Sequence, residues 1–211
     1  MEYRIVLASG SPRRKELLGK ILDKYNMKFD IIPSDAEEEF KGIITDPQEL
    51  VEKLSSIKAI DIFDKIKEEN EKLIVIGADT IVYFNGEILG KPGNSQNAIK
   101  TLEKLQGNIN NVYTGMTVIV KNNNNVTNKV VCSKTDVYFK PMSDQDILEY
   151  VETGEPLDKS GGYGIMGIGR KYIEKYDGEL NTVAGLDTVE LEKILSNYMS
   201  KTNIDIDTER R

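Results

Sequence analysis

Blocks of apolar and polar positions along the chain predict strands interleaved with helices. Tyr3-Arg4-Ile5-Val6-Leu7-Ala8 is a short apolar run bounded by turn residues, the pattern of a buried strand. It breaks at Ser9-Gly10-Ser11-Pro12, where Ser11 reads as a helix N-cap and Pro12 as the first helical residue. The helix that follows places Leu17, Leu18, Ile21, Leu22 and Tyr25 on its apolar face. Phe29-Asp30-Ile31-Ile32 predicts a second strand, and Asp35-Ala36-Glu37-Glu38-Glu39 an acidic loop after it. Asp46 as N-cap, Pro47 at the first position and Glu49 at the capping-box position predict a second helix. Its apolar stripe is carried by Leu50, Val51, Leu54, Ile57 and Ile62.

Leu73-Ile74-Val75-Ile76 is continuously apolar and predicts a central strand that ends at Gly77-Ala78-Asp79-Thr80. A hairpin follows, Ile81 to Phe84 and Glu87 to Leu89, turned at Asn85-Gly86. Ser95 is expected to cap a third helix with Ile99, Leu102 and Leu105 inward. Val112 to Val120 and Val126 to Phe139 read as long strands joined by a polar turn over Asn122 to Asn125. Ser143 caps a short helix through Tyr150, stopped at Gly154. Residues 154–170 are Gly-rich and irregular, and Lys171-Tyr172-Ile173 predicts a strand. A last helix runs from Asp187, with Glu190 at the box position, to Tyr198. Early alternation and a hairpin-rich middle predict an α/β fold: a mixed central β-sheet flanked by helices and bent into two lobes around a cleft. Residues 1–200 are expected to form one domain and 201–211 a polar, frayed tail.

Composition narrows the chemistry. The formal net charge over 211 residues is −7, with no basic block, so duplex nucleic acid is not an expected partner. No apolar run reaches membrane-spanning length and no secretory signal is visible, which predicts a soluble, cytoplasmic protein away from membranes. The one cysteine, Cys132, reads as a small core residue. Histidine is absent, which removes Ser-His-Asp and Cys-His catalysis and any His-ligated zinc. Acid–base work then falls to carboxylates, lysines, tyrosines or metal-bound water.

The strand–loop–helix junction at Ser9 to Arg14 points backbone N–H groups, a favourable dipole end and the guanidinium groups of Arg13 and Arg14 at one place, a phosphate site in outline. Lys58 in the second helix, Lys91 in Gly90-Lys91-Pro92-Gly93 and Lys159 after Asp158 are either solvated surface groups or further phosphate ligands. Asp79 closes an apolar strand, where ligand crevices open in α/β sheets. The acids at 37–39 are either a solvated run or donors of oxygen ligands to magnesium. Together these groups suit a polyphosphate and a divalent metal, with water as nucleophile and phosphoanhydride hydrolysis as the reaction. No Gly-x-x-x-x-Gly-Lys-Ser/Thr motif is present, and Gly161-Gly162-Tyr163-Gly164 lacks the strand–helix context of a dinucleotide loop.

Ser9-Gly10-Ser11-Pro12-Arg13-Arg14-x-Glu16-Leu17-Leu18, Gly77-Ala78-Asp79-Thr80, Gly90-Lys91-Pro92, Tyr113-Thr114-Gly115 and the segment from Gly154 to Ile165 resemble, in order and spacing, the Maf family of nucleoside triphosphate pyrophosphatases. The resemblance implies cleavage between the α and β phosphates, a Mg2+ or Mn2+ cofactor, a nucleoside triphosphate substrate, a cytoplasmic house-cleaning role and a homodimer. It implies Asp79 as general base and metal ligand, and Glu38, or Glu37 after a one-residue shift, as the second metal ligand. On the same basis Ser9, Ser11, Arg13, Arg14, Lys58, Thr80, Lys91, Asp158 and Lys159 are expected to bind substrate. Arg13 and Thr80 match the dTTP/UTP-preferring members, whose third marker is a glutamine. Met166 stands in that position, in Gly164-Ile165-Met166-Gly167, and cannot donate a hydrogen bond to a base edge. Two alternatives follow: the same chemistry on CTP or 7-methyl-GTP, or a non-catalytic nucleotide-binding regulator of cell division.

Overall fold

The computed structural model describes residues 3–36 and 44–199. Glu37, Glu38, Glu39 and the 201–211 tail lie outside the described residues. Element order is β1 (Arg4–Leu7), α1 (Pro12–Asp23), β2 (Asp30–Ile31), α2 (Pro47–Ile66), β3 (Lys72–Phe84), β4 (Glu87–Leu89), α3 (Ser95–Leu105), β5 (Ile109–Asn122), β6 (Asn125–Phe139), α4 (Asp144–Glu152), β7 (Ile173–Asp177), α5 (Leu180–Ala184) and α6 (Thr188–Met199). The strands form one mixed sheet in the order β2-β1-β3-β5-β6-β7, with β4 paired to β3. β1 is parallel to β2 and to β3; β3 is antiparallel to β4 and β5.

β3 organises the molecule. Its 13 residues alternate between two faces, as the period of a strand requires. Ile74 and Ile76 pack with Leu18 and Leu22 of α1 and Leu191 and Leu195 of α6. Leu73 and Val75 face Ala59, Ile62 and Phe63 of α2. Farther along, Val82 enters a second core with Leu102 and Leu105 of α3 and Tyr150 of α4. The cleft opens between these cores.

The register explains why it opens there. β5 pairs with β3 from Lys72 to Tyr83. On the other edge, β1 ends at Leu7 opposite Ile76, and the antiparallel pairing with β4 starts only at Val82, opposite Leu89. Residues 77–81 therefore have no strand beside them on that edge, among the described residues. Asp79 and Thr80 lie in this gap and point to opposite faces.

Several expectations are corrected. β3 does not end at Gly77 but continues through it. Gly77 is a contact residue, since a Cβ there would lie 2.4 Å from the Ser55 carbonyl oxygen and 2.7 Å from the Ala59 nitrogen. Asp79 is accordingly inside a strand; what ends beside it is β1. Asn94, not Ser95, caps α3, its side chain accepting from the Asn97 N–H at 2.9 Å. The polar turn is only Asn123-Asn124, with both strands running up to it. The last strand starts at Ile173, after a 3-10 turn that takes Lys171 and Tyr172. α5 was not expected at all. Asp187 does cap α6, accepting from the Glu190 N–H at 2.9 Å.

Candidate active site

The gap in the β3 edge is the floor of a groove of about 1110 Å3. Its lining brings together Ser9, Ser11, Arg13, Arg14, Lys58, Asp79, Thr80, Lys91, Asp158 and Lys159. These residues come from the β1–α1 junction, α2, β3, the loop after β4 and the turn after α4. Met166 is not part of the lining; it is 49% exposed in the turn before the last 3-10 segment.

Asp79 is the centre of the α2 side. Its carboxylate accepts from the Lys58 ammonium, and the two side chains are only 16% and 18% exposed. The pair forms because α2 lies almost on the sheet. A Cβ on Gly115, opposite Asp79 in β5, would sit 2.1 Å from the Val51 carbonyl oxygen. Gly77 and Gly115 thus let the helix backbone down, and the Ser55 and Ser56 hydroxyls meet the Thr117 hydroxyl at 2.9 and 3.0 Å. The motifs around these glycines were visible in the sequence; their steric purpose was not.

Arg14 organises the opposite face. Its guanidinium donates to the Gly185 carbonyl at 2.8 Å, the Ser9 hydroxyl at 3.2 Å and the Thr80 hydroxyl at 3.1 Å. Burial pushes it below its ordinary value, while the charge of Asp79 pulls it back up. The Thr114 hydroxyl donates to the Thr182 carbonyl at 2.8 Å, so Thr80 must donate to Thr114 across their 2.9 Å contact. Thr80 therefore has its proton committed within the protein, and Arg14 holds three elements together.

The remaining cations sit on joined loops. The Ser160 hydroxyl donates to the Thr80 carbonyl at 3.1 Å, the Gly161 N–H to the Gly90 carbonyl at 3.1 Å and the Gly93 N–H to the Leu157 carbonyl at 2.9 Å. These bonds clip the Lys91 loop to the Lys159 turn. Lys159 donates to Asp158 at 2.7 Å and to the Glu155 carbonyl at 2.9 Å. The Lys159 ammonium, with the Arg13 charge behind it, holds the Asp158 carboxyl below the usual carboxylate range. Arg13 and Lys159, far apart in the chain, thus act on one carboxylate.

Among the described residues, no three acidic, Cys or His side chains gather as a metal cage. A magnesium-type ion needs only one or two protein carboxylates, because water and phosphate oxygens complete its shell. Asp79, inside the groove, fits that demand; Glu38 lies outside the described residues.

The family model for Maf-like proteins matches residues 4–198. This chain belongs to the Maf family. Maf relatives include a dTTP/UTP pyrophosphatase of Caldicellulosiruptor bescii, 41% identical over 192 residues, or 91% of this chain and 93% of that protein. Another, a dTTP/UTP pyrophosphatase of Alkaliphilus metalliredigens, is 42% identical over 196 residues, or 92% and 96% of the two chains. A solved dITP/XTP pyrophosphatase from Mycobacterium abscessus aligns over 99% of this Maf chain and 98% of its own, at 13% identity and a TM-score of 0.40. No helix among the described residues is long and apolar enough to cross a membrane.

Proposed function

We propose that this Maf protein hydrolyses the α–β phosphoanhydride of dTTP- and UTP-like nucleotides, releasing nucleoside monophosphate and pyrophosphate. The observation that carries the reading is the Asp79–Lys58 pair in a groove that also gathers Arg13, Lys91 and Lys159. The dTTP/UTP pyrophosphatases among its relatives support the substrate class.

In this reading the triphosphate lies along the unpaired edge of β3, with its charge met by Arg13, Lys91 and Lys159. Water attacks the α phosphorus, and Asp79 takes the proton that the water loses. The pyrophosphate leaves towards the cations, which stabilise the charge it gains. Lys58 aligns the Asp79 carboxylate and donates to a phosphate oxygen as substrate arrives. Asp79 and Glu38 would hold a Mg2+ or Mn2+ ion, which would supply Lewis-acid polarisation of the phosphate oxygens. The protein acts in the cytoplasm as a homodimer, as its resemblance to other Maf proteins implies.

The test is pyrophosphate release from UTP, dTTP, CTP and 7-methyl-GTP, with magnesium, manganese or EDTA. The expected result is fastest turnover of UTP and dTTP, abolished by EDTA and restored by added metal. Absence of turnover on all four substrates would leave a nucleotide-binding regulator as the better reading. Preference for 7-methyl-GTP would move the substrate class to modified purines.

A further inference from the structure

Residues 161–169 carry five glycines, a run without the strand–helix context of a dinucleotide loop. The structure gives a reason for it. Glu155, in the turn after α4, sends its carboxylate into this segment. One oxygen accepts from the Tyr150 hydroxyl at 2.7 Å and the Gly169 N–H at 2.8 Å; the other accepts from the Ile168 N–H at 3.2 Å. The Tyr150 hydroxyl in turn accepts from the Gly164 N–H at 3.0 Å. A Cβ on Gly167 would lie 1.8 Å from a Glu155 oxygen, so glycine there makes room for the carboxylate.

The same residue holds Lys159 by its main chain, through the 2.9 Å bond from the ammonium to the Glu155 carbonyl. The Lys159 stem runs against the turn as well. A Cβ on Gly164 would sit 3.2 Å from Lys159 Cε and 3.0 Å from a Glu155 oxygen. The stem is therefore confined between Glu155 and Gly164, and the Lys159 side chain is 16% exposed. Glu155 does not line the groove, whereas Lys159 does.

We infer that Glu155 is a positioning residue: anchored by Tyr150 and the 168–169 amides, it fixes where the Lys159 ammonium stands in the groove. This rests on the reading of Lys159 as a phosphate ligand. A ligand that grips a phosphate equally before and during reaction contributes to KM and little to kcat. Loss of a charged hydrogen bond of this kind costs about tenfold or more in binding.

The experiment is a double-mutant cycle with UTP and magnesium: wild type, Glu155→Gln, Lys159→Met and the double variant, each checked for its melting temperature. Lys159→Met is expected to raise KM about tenfold. Glu155→Gln is expected to raise KM severalfold with kcat nearly unchanged, and to add nothing on the Lys159→Met background. If Glu155→Gln leaves KM unchanged, or raises it by the same factor in both backgrounds, the positioning role is overturned. If Lys159→Met changes neither KM nor kcat, the assignment of Lys159 to phosphate falls first and takes this inference with it. Should Glu155→Gln fail to fold, Tyr150→Phe, which removes one donor to the carboxylate, replaces it in the same cycle.

Discussion

Lys58 reaches Asp79 because glycine stands at 77 and 115, where any side chain would hold α2 off the sheet. An ion pair at the floor of the groove is thus set by the backbone packing of its helix on the sheet.

Replacing Asp79 by asparagine keeps an acceptor for Lys58 and removes the proton acceptor. Asp79→Asn is expected to cut pyrophosphate release about a hundred- to ten-thousandfold. Its thermal melting should stay close to wild type. Unchanged turnover would remove Asp79 from the chemistry.

Gly115→Ala places a methyl group 2.1 Å from the Val51 carbonyl oxygen and 2.4 Å from its carbon. Backbone cannot swing aside as a side chain can, so α2 must lift. Overpacking of this kind costs about 1–3 kcal/mol. Gly90→Ala, where the added Cβ meets nothing within 4 Å, is the matched control. Urea midpoints of the two variants should differ accordingly, and Gly115→Ala should also lose activity as Lys58 moves with its helix.

Arg14 and Arg13 are adjacent, yet their substitutions should read out differently. A lysine at 14 cannot serve Gly185, Ser9 and Thr80 at once from one ammonium. Arg14→Lys is expected to lower stability by about 2 kcal/mol. Arg13→Lys should mainly raise KM. Melting curves and steady-state kinetics on both variants separate the roles, and equal melting temperatures would reject the clamp assigned to Arg14.

Cys132 offers a pH test outside the groove. Burial, followed by the charges of Glu52 and Asp46, pushes its thiol up to about 11 from 9.0. The folded state then holds the thiol proton more tightly than the unfolded chain. Its contribution to stability is present below pH 9.0 and is lost as pH rises through about 11. Iodoacetamide labelling at pH 8 should be roughly a hundredfold slower in the native protein than after unfolding, in line with the smaller thiolate fraction. Rapid native labelling would contradict this environment.

Local chemistry made much of the fold legible. Asp46, Ser143 and Asp187 cap helices where the sequence placed them, accepting from the backbone N–H three residues on. Asn85-Gly86 turns the expected hairpin, with Asn85 at φ 47° and Gly86 at φ 86°. Long-range packing was not legible. Gly77 reads locally as a strand breaker, but here it serves the approach of a helix from another part of the chain. Five-residue α5 is too short to leave a helical period. The groove gathers ten of the eleven positions that the site motifs pointed to among the described residues. The motifs did not tell that Arg14 is tied up by Ser9, Thr80 and Gly185, or that Met166 stands outside the lining. Such facts depend on how loops dock, which no local spacing encodes.

β3 runs unbroken from the first hydrophobic core into the second and is paired with β5 along nearly all of its length. It is a beam shared by both sides of the groove, with no pivot at the point where the Asp79 carboxylate is mounted. Bending the two halves apart would require tearing a ladder of main-chain bonds. Admission and escape of a nucleotide must consequently be managed by the connecting loops, and the pace of turnover should respond to changes in those loops while the strand beneath keeps its shape.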